Sequence, residues 1–121
     1  MVFSTREAAI LRYAAALFDL DGTLIDSAAD IIAAVRYTIA SVFPGCELPD
    51  AEDILVQVGK PLEAIVRELG CPADDAGVRR FVEAYRAYYA EHYNDNTKVY
   101  PGISELLATL QGAGGKLALV T

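Results

Sequence analysis

Two carboxylates stand two positions apart in the string Leu17-Phe18-Asp19-Leu20-Asp21-Gly22-Thr23-Leu24. If the chain stays extended there, alternate side chains point the same way, so Asp19 and Asp21 share a face. Close anions are costly unless a cation or a proton offsets them. Magnesium is the natural cation, because it takes hard oxygen ligands and leaves positions for phosphate oxygens. One carboxylate can then attack phosphorus while the other carries the leaving group's proton. Gly22 permits a tight turn, and Thr23 places a hydroxyl beside it. Three simpler roles compete for the same residues. Asp21-Gly22 is a short hairpin signal, disfavoured because the sequence soon turns helical. A calcium loop wants a third acidic residue and then Gly where this chain has Thr23 and Leu24. Carboxylates that merely cap the surface do not suit an apolar run immediately before them.

Elements must hold that string in place. The apolar run over residues 14–19 predicts a buried strand. Ile31, Val35, Ile39 and Val42 then recur at helical spacing behind Asp26 and Ser27, either of which can cap a helix start, and Pro44-Gly45 stops the helix. Asp50, with Glu52 and Asp53 behind it, opens a short helix. Pro61 suits the first turn of another, which carries Leu62, Ile65, Val66 and Leu69 and stops at Gly70. Asp74 or Asp75 opens the longest helix, with Val78, Phe81, Val82, Tyr85 and Tyr89 on one face. Tyr85, Tyr88, Tyr89 and Tyr93 are expected to form its packing face, and Asn94-Asp95-Asn96 ends it. The lone His92 is expected as a helix C-terminal dipole partner or surface residue, not a ligand. Pro101-Gly102 is a turn, Ile103, Leu106, Leu107 and Leu110 form an apolar stripe, and residues 116–121 read as a second buried strand. Two strands of parallel-sheet character thus flank a mostly helical segment.

Composition bounds the rest. The chain has 121 residues, 54% of them hydrophobic and 22% charged, which places it among soluble globular proteins. Its length suits one domain, or one and a fragment. A formal charge of −7 argues against nucleic acid or an anionic membrane as partner. The apolar stretch near residues 8–18 is broken by Arg12 and falls short of the roughly 20 residues of a membrane span. Residues 1–12 carry no secretory cleavage pattern. Cys46 and Cys71, without a CxxC or a nearby His, suit reduced thiols and a cytoplasmic setting.

The string at 17–27 resembles the first motif of the haloacid dehalogenase-like hydrolase superfamily and is most similar to its phosphoglycolate phosphatase-like branch. The resemblance implies that Asp19 is the nucleophile forming an aspartyl-phosphate and that Asp21 is the general acid/base. It implies magnesium held by the Asp19 carboxylate and the Asp21 backbone carbonyl, with Gly22 and Thr23 in the phosphate-binding turn. Thr121, ending the apolar run 117–120, matches the second motif, whose hydroxyl bonds the transferred phosphoryl group. Val99-Tyr100-Pro101-Gly102, followed by Glu105-Leu106-Leu107, resembles the stretch by which this branch re-enters its core. The implied fold is α/β. Residues 1–25 and 97–121 would start a Rossmann-like parallel-sheet core, and residues 26–96 would form an inserted helical cap, with Asp26 and Ser27 at hinge and helix start. Gly59-Lys60-Pro61-Leu62 resembles the cap loop that faces substrate, so Gly59 and Lys60 are candidate specificity residues; a helix-start turn accounts for them equally well. The implied activity is magnesium-dependent hydrolysis of a small phosphorylated, phosphoglycolate-like metabolite.

The pattern departs from the family after Thr121. The third-motif Lys and the fourth-motif acidic residues have no counterpart in order, since Lys98 and Lys116 both precede Thr121. The remaining core needs on the order of 80–100 more residues. The core is therefore expected to be incomplete, as in the N-terminal part of a longer enzyme, with open sheet edges that favour a homo-oligomer. Two alternatives stay open: a sugar-phosphate mutase sharing Asp19 and Asp21, and a truncated, inactive fragment or interaction module.

Overall fold

A computed structural model describes residues 13–120. The chain divides into two compact units, Met1–Asp26 with Lys98–Thr121, and Ser27–Thr97.

In the first unit, β1 (Ala15–Phe18) pairs in parallel with the last strand (Lys116–Leu119), Ala15 opposite Lys116 and Phe18 opposite Leu119. The Val120 amide extends the ladder by donating to the Phe18 carbonyl at 2.8 Å. Parallel neighbours need a long crossover, and the helical segment supplies it. A second pair escaped the sequence reading. β2 (Ile25–Asp26) runs antiparallel to β3 (Lys98–Val99), and strands of two residues are too short to carry a period. The helix Ile103–Gly112 opens at Gly102, whose φ of 85° is left-handed and suits glycine.

The strands are not buried as the apolar runs predict. Leu17 is 69% exposed and Leu119 54% exposed, and Leu24 and Leu110 are the buried apolar residues among the described residues of this unit. One helix cannot cover both faces of a sheet. The expected stripe on Ile103–Gly112 is likewise only partly used: Leu110 is buried and Leu106 is exposed. An apolar hollow of about 380 Å³ remains, lined among others by Phe18, Leu20, Leu24, Ile103, Leu107 and Leu117.

The second unit holds the hydrophobic core. Its helices are α1 (Ala28–Val42), α2 (Ala51–Leu55), α3 (Leu62–Glu68) and α4 (Asp75–His92), so Ile103–Gly112 is α5 and Lys116–Leu119 is β4. α1 packs along α4. Val35 and Ile39 meet Val78, Phe81 and Val82 in one cluster with Ile54 and Val66. Phe81 is fully buried, so truncation to Ala is expected to cost about 3–5 kcal/mol. Asp74 caps α4 by accepting the Gly77 amide at 2.7 Å. Pro61 stands at the N-cap of α3, one position before the expected first turn. The tyrosines of α4 pack as expected except at the end: Tyr85 joins the core, Tyr88 and Tyr89 lie against it, and Tyr89 meets Tyr93 at 6.5 Å. Tyr85 is buried, Tyr88 stacks on Tyr37 at 4.2 Å and on His92 at 4.1 Å, and Tyr93 is exposed just past the helix end. His92 sits in the last turn, as expected, and its Nδ1 lies 2.7 Å from Asp95 Oδ2.

Candidate active site

The acid pair sits where β1 runs out. Beyond Phe18 the chain folds on itself around one acceptor, the Leu20 carbonyl, which receives the amides of Thr23 (3.3 Å), Leu24 (3.0 Å) and Ile25 (3.2 Å). The Gly22 amide returns a bond to the Ile25 carbonyl at 2.9 Å. Gly22 makes this turn with φ 77°, a left-handed conformation that costs a side-chain-bearing residue about 1–2 kcal/mol. Asp21 is bridged to Ile25 within the same loop.

The tight turn brings Thr23 back toward Asp19, and the Thr23 hydroxyl donates to Asp19 Oδ2 at 3.2 Å. Asp19 is exposed and Asp21 half-buried. A hydroxyl donor fixes the orientation of the carboxylate that accepts from it. The loop therefore presents an ordered carboxylate to solvent, with a second acid two residues on.

The donors suit magnesium in kind. Both are hard oxygen ligands, and this ion characteristically keeps several waters and adds substrate phosphate oxygens to one or two carboxylates. Among the described residues, no group of three His, Cys, Asp or Glu side chains converges to form a larger cage. Asp19 and Asp21 are the acids of this loop that could hold such an ion.

The other sequence candidates fall elsewhere. Thr121 lies outside the described residues. Gly59 and Lys60 belong to the helical unit, between α2 and α3. Gly59 has φ 98°. Lys60 Nζ makes an ion pair with Glu68 Oε2 at 2.6 Å, and its hydrogen bond holds the Glu68 carboxyl below the ordinary value. Any ligand contact by Lys60 competes with that pair.

Sequence reasoning passed over Asp30. It is buried in the first turn of α1 and gathers the end of the helical unit. Its oxygens accept the Asn96 amide at 2.9 and 3.1 Å, the Asn96 side-chain amide at 3.2 Å and the Thr97 hydroxyl at 2.6 Å. Burial alone would raise its pKa, but the Thr97 and Asn96 hydrogen bonds outweigh burial and hold it below the ordinary value. A signal was present, because Asp30, Ala34 and Thr38 lie four apart on the buried side of α1.

The family model of haloacid dehalogenase-like hydrolases matches residues 16–121. The chain is 34% identical over 114 residues to a phosphoglycolate phosphatase of Caulobacter vibrioides, covering 86% of this chain and 45% of that protein. It is 35% identical over 107 residues to the tyrosine-protein kinase PtkA of Mycobacterium tuberculosis, covering 87% of this chain and 34% of that protein. A solved haloacid dehalogenase-like hydrolase of Streptococcus pneumoniae superposes with a TM-score of 0.76 at 32% identity, over 88% of this chain and 48% of the other. The chain thus spans less than half the length of these relatives. The match runs through β1, the acid loop and every element up to residue 121, and the chain belongs to the haloacid dehalogenase-like hydrolases.

Proposed function

We propose that this chain carries the nucleophile-bearing part of a magnesium-dependent phosphomonoesterase that acts on a small phosphorylated metabolite of the phosphoglycolate type. The observation that carries the proposal is the Thr23–Asp19 hydrogen bond inside the Leu20-centred turn, which orders an exposed carboxylate beside a second acid.

In this mechanism an Asp19 oxygen attacks phosphorus, the ester P–O bond breaks, and Asp21 gives its proton to the leaving oxygen. An acyl-phosphate on Asp19 results. Asp21, now ionised, takes a proton from water, which attacks phosphorus and releases inorganic phosphate and the free Asp19 carboxylate. Magnesium, when bound, supplies positive charge beside the phosphoryl oxygens. Thr23 holds Asp19 in its attacking orientation, and Gly22 and Thr23 are assigned to the phosphate-binding turn. Thr121 is assigned a hydroxyl bond to the phosphoryl group. The unit Ser27–Thr97 is assigned the role of helical cap, with Gly59 and Lys60 contributing to substrate choice.

A second reading is transfer of the phosphoryl group to an acceptor hydroxyl instead of water, as in a sugar-phosphate mutase. The likeness to a tyrosine-protein kinase supports it. Product analysis of the complete protein with phosphoglycolate and magnesium separates the two. Inorganic phosphate released in step with substrate loss supports hydrolysis. Phosphate appearing only on an added acceptor alcohol supports transfer.

A further inference from the structure

Cys46 lies in the loop between α1 and α2, and Cys71 follows α3. They are 25 positions apart in sequence, yet their sulfurs stand 3.8 Å apart. Both are free thiols, Cys71 buried and Cys46 partly exposed. Cys46 also borders an open hollow of about 590 Å³ with Glu47, Leu48, Pro49 and Gly70, which brings solvent up to this residue. We propose that Cys46 and Cys71 are a redox modification site on the helical unit, where a peroxide converts the two thiols into a reversible disulfide. Nothing in the phosphatase chemistry uses either sulfur, so the proposal is independent of it.

The positions divide the labour. Cys46, open to solvent, attacks one oxygen of hydrogen peroxide as its thiolate. The O–O bond breaks, the departing hydroxide takes up the Cys46 proton as water, and Cys46 becomes a sulfenic acid. Cys71 then attacks the Cys46 sulfur, the S–O bond breaks, and the hydroxide leaves as a second water with the Cys71 proton. Two thiols are oxidised and one peroxide is reduced to two waters. Burial, reinforced by the neighbouring Cys46, pushes the Cys71 thiol up to about 11, which disfavours it as the first attacker and leaves its resolving step to rest on the 3.8 Å approach of the two sulfurs. The sulfurs must close to about 2.05 Å, the length of an S–S bond, within turns fixed by the Cys46 amide on the Phe43 carbonyl at 3.0 Å and the Ala73 amide on the Cys71 carbonyl at 2.8 Å. The bond would tie the α1–α2 loop to the α3–α4 loop and enclose α2, α3 and the Gly59-Lys60 turn.

The test treats the complete protein with hydrogen peroxide and then alkylates under denaturing conditions. The expected result is loss of two hydrogens by intact mass, a Cys46–Cys71 cross-linked peptide and no alkylation of either thiol. The melting temperature should rise by several degrees, because the bond constrains the unfolded chain, and fall back after dithiothreitol. Cys46→Ser and Cys46→Ala, which spare the buried partner, should abolish both effects. Full alkylation of both thiols after peroxide, a sulfinic acid on Cys46, or cross-linking only between chains would overturn the proposal.

Discussion

The Asp30 carboxylate in the first turn of α1 and the Thr97 hydroxyl at the close of the helical unit meet at 2.6 Å, joining positions 67 apart in sequence. With the Asn96 bonds, this contact closes the Ser27–Thr97 unit on itself through one buried anion. Asp30→Asn should destabilise that unit by about 2 kcal/mol at neutral pH, since hydrogen bonds to a charged group are worth about 1.5–3 kcal/mol. The pH dependence has a definite sign. A carboxyl held below its ordinary value of 3.8 contributes stability that is complete above that value and is lost as pH falls through the lower folded value. Chemical denaturation of wild type and Asp30→Asn should therefore show a constant gap from pH 7 to 5 that narrows below about pH 4. A gap that widens in acid would contradict the assignment.

Gly22 turns the acid loop with φ 77°, and a methyl group there meets no neighbouring atom within 4 Å. Gly22→Ala should therefore act through backbone strain alone, at about 1–2 kcal/mol. The strain falls on the turn that aims Asp19, so kcat in the complete protein should drop more than tenfold while the melting temperature moves by only a few degrees. Unchanged kcat would show that the turn does not set the Asp19 geometry.

Lys60→Gln removes the partner of Glu68 from an exposed ion pair. Such pairs contribute little, so the melting temperature should shift by no more than about 2 °C. If Lys60 also meets substrate, KM for phosphoglycolate should rise and the ranking of phosphate esters should change. A lowered melting temperature with an unaltered ranking would leave Lys60 as part of a helix-start turn.

The polypeptide of residues 1–121 alone supplies Asp19, Asp21 and Thr23 but, among its described residues, no third acidic ligand beside them. Loss of one electrostatic element of a site commonly costs about 10²–10³ in rate. That polypeptide should show no magnesium-dependent phosphatase activity, and it should associate in sedimentation velocity through the exposed β1 and β4 side chains. A monodisperse monomer with Asp19-dependent turnover would refute this.

Much of this architecture is legible in the residues because local signals agree with tertiary demand. The 3.6-residue repeat of Val35 and Ile39, and of Val78, Phe81 and Val82, fixes the helices and the face they bury. The Asp19–Thr23 string carries the resemblance to the family that matches residues 16–121, and it folds into the turn in which the Thr23 hydroxyl bonds Asp19. The rest depends on distance in space. Asp30 reaches Asn96 and Thr97 across the whole helical unit, and Cys46 finds Cys71 across two helices. No short-range period encodes either meeting. The β2–β3 pair is two residues long on each side, below the length at which alternation can be read. The apolar runs of β1 and β4 predict burial that the structure does not show: Leu17 and Leu119 are exposed, because one helix cannot cover both faces of a two-stranded sheet.

The most direct test of Asp19 as the nucleophile is a covalent phosphoryl group on its side chain. The complete protein carrying Asp21→Asn, which attacks but lacks the base for hydrolysis, should be mixed with magnesium and an activated aryl phosphate, quenched in acid and mapped by mass spectrometry. The predicted result is one added phosphoryl group on the peptide containing Asp19, absent when Asp19→Asn is introduced as well. Released aryl alcohol with no phosphoryl group on that peptide, or a phosphoryl group that persists without Asp19, would contradict it.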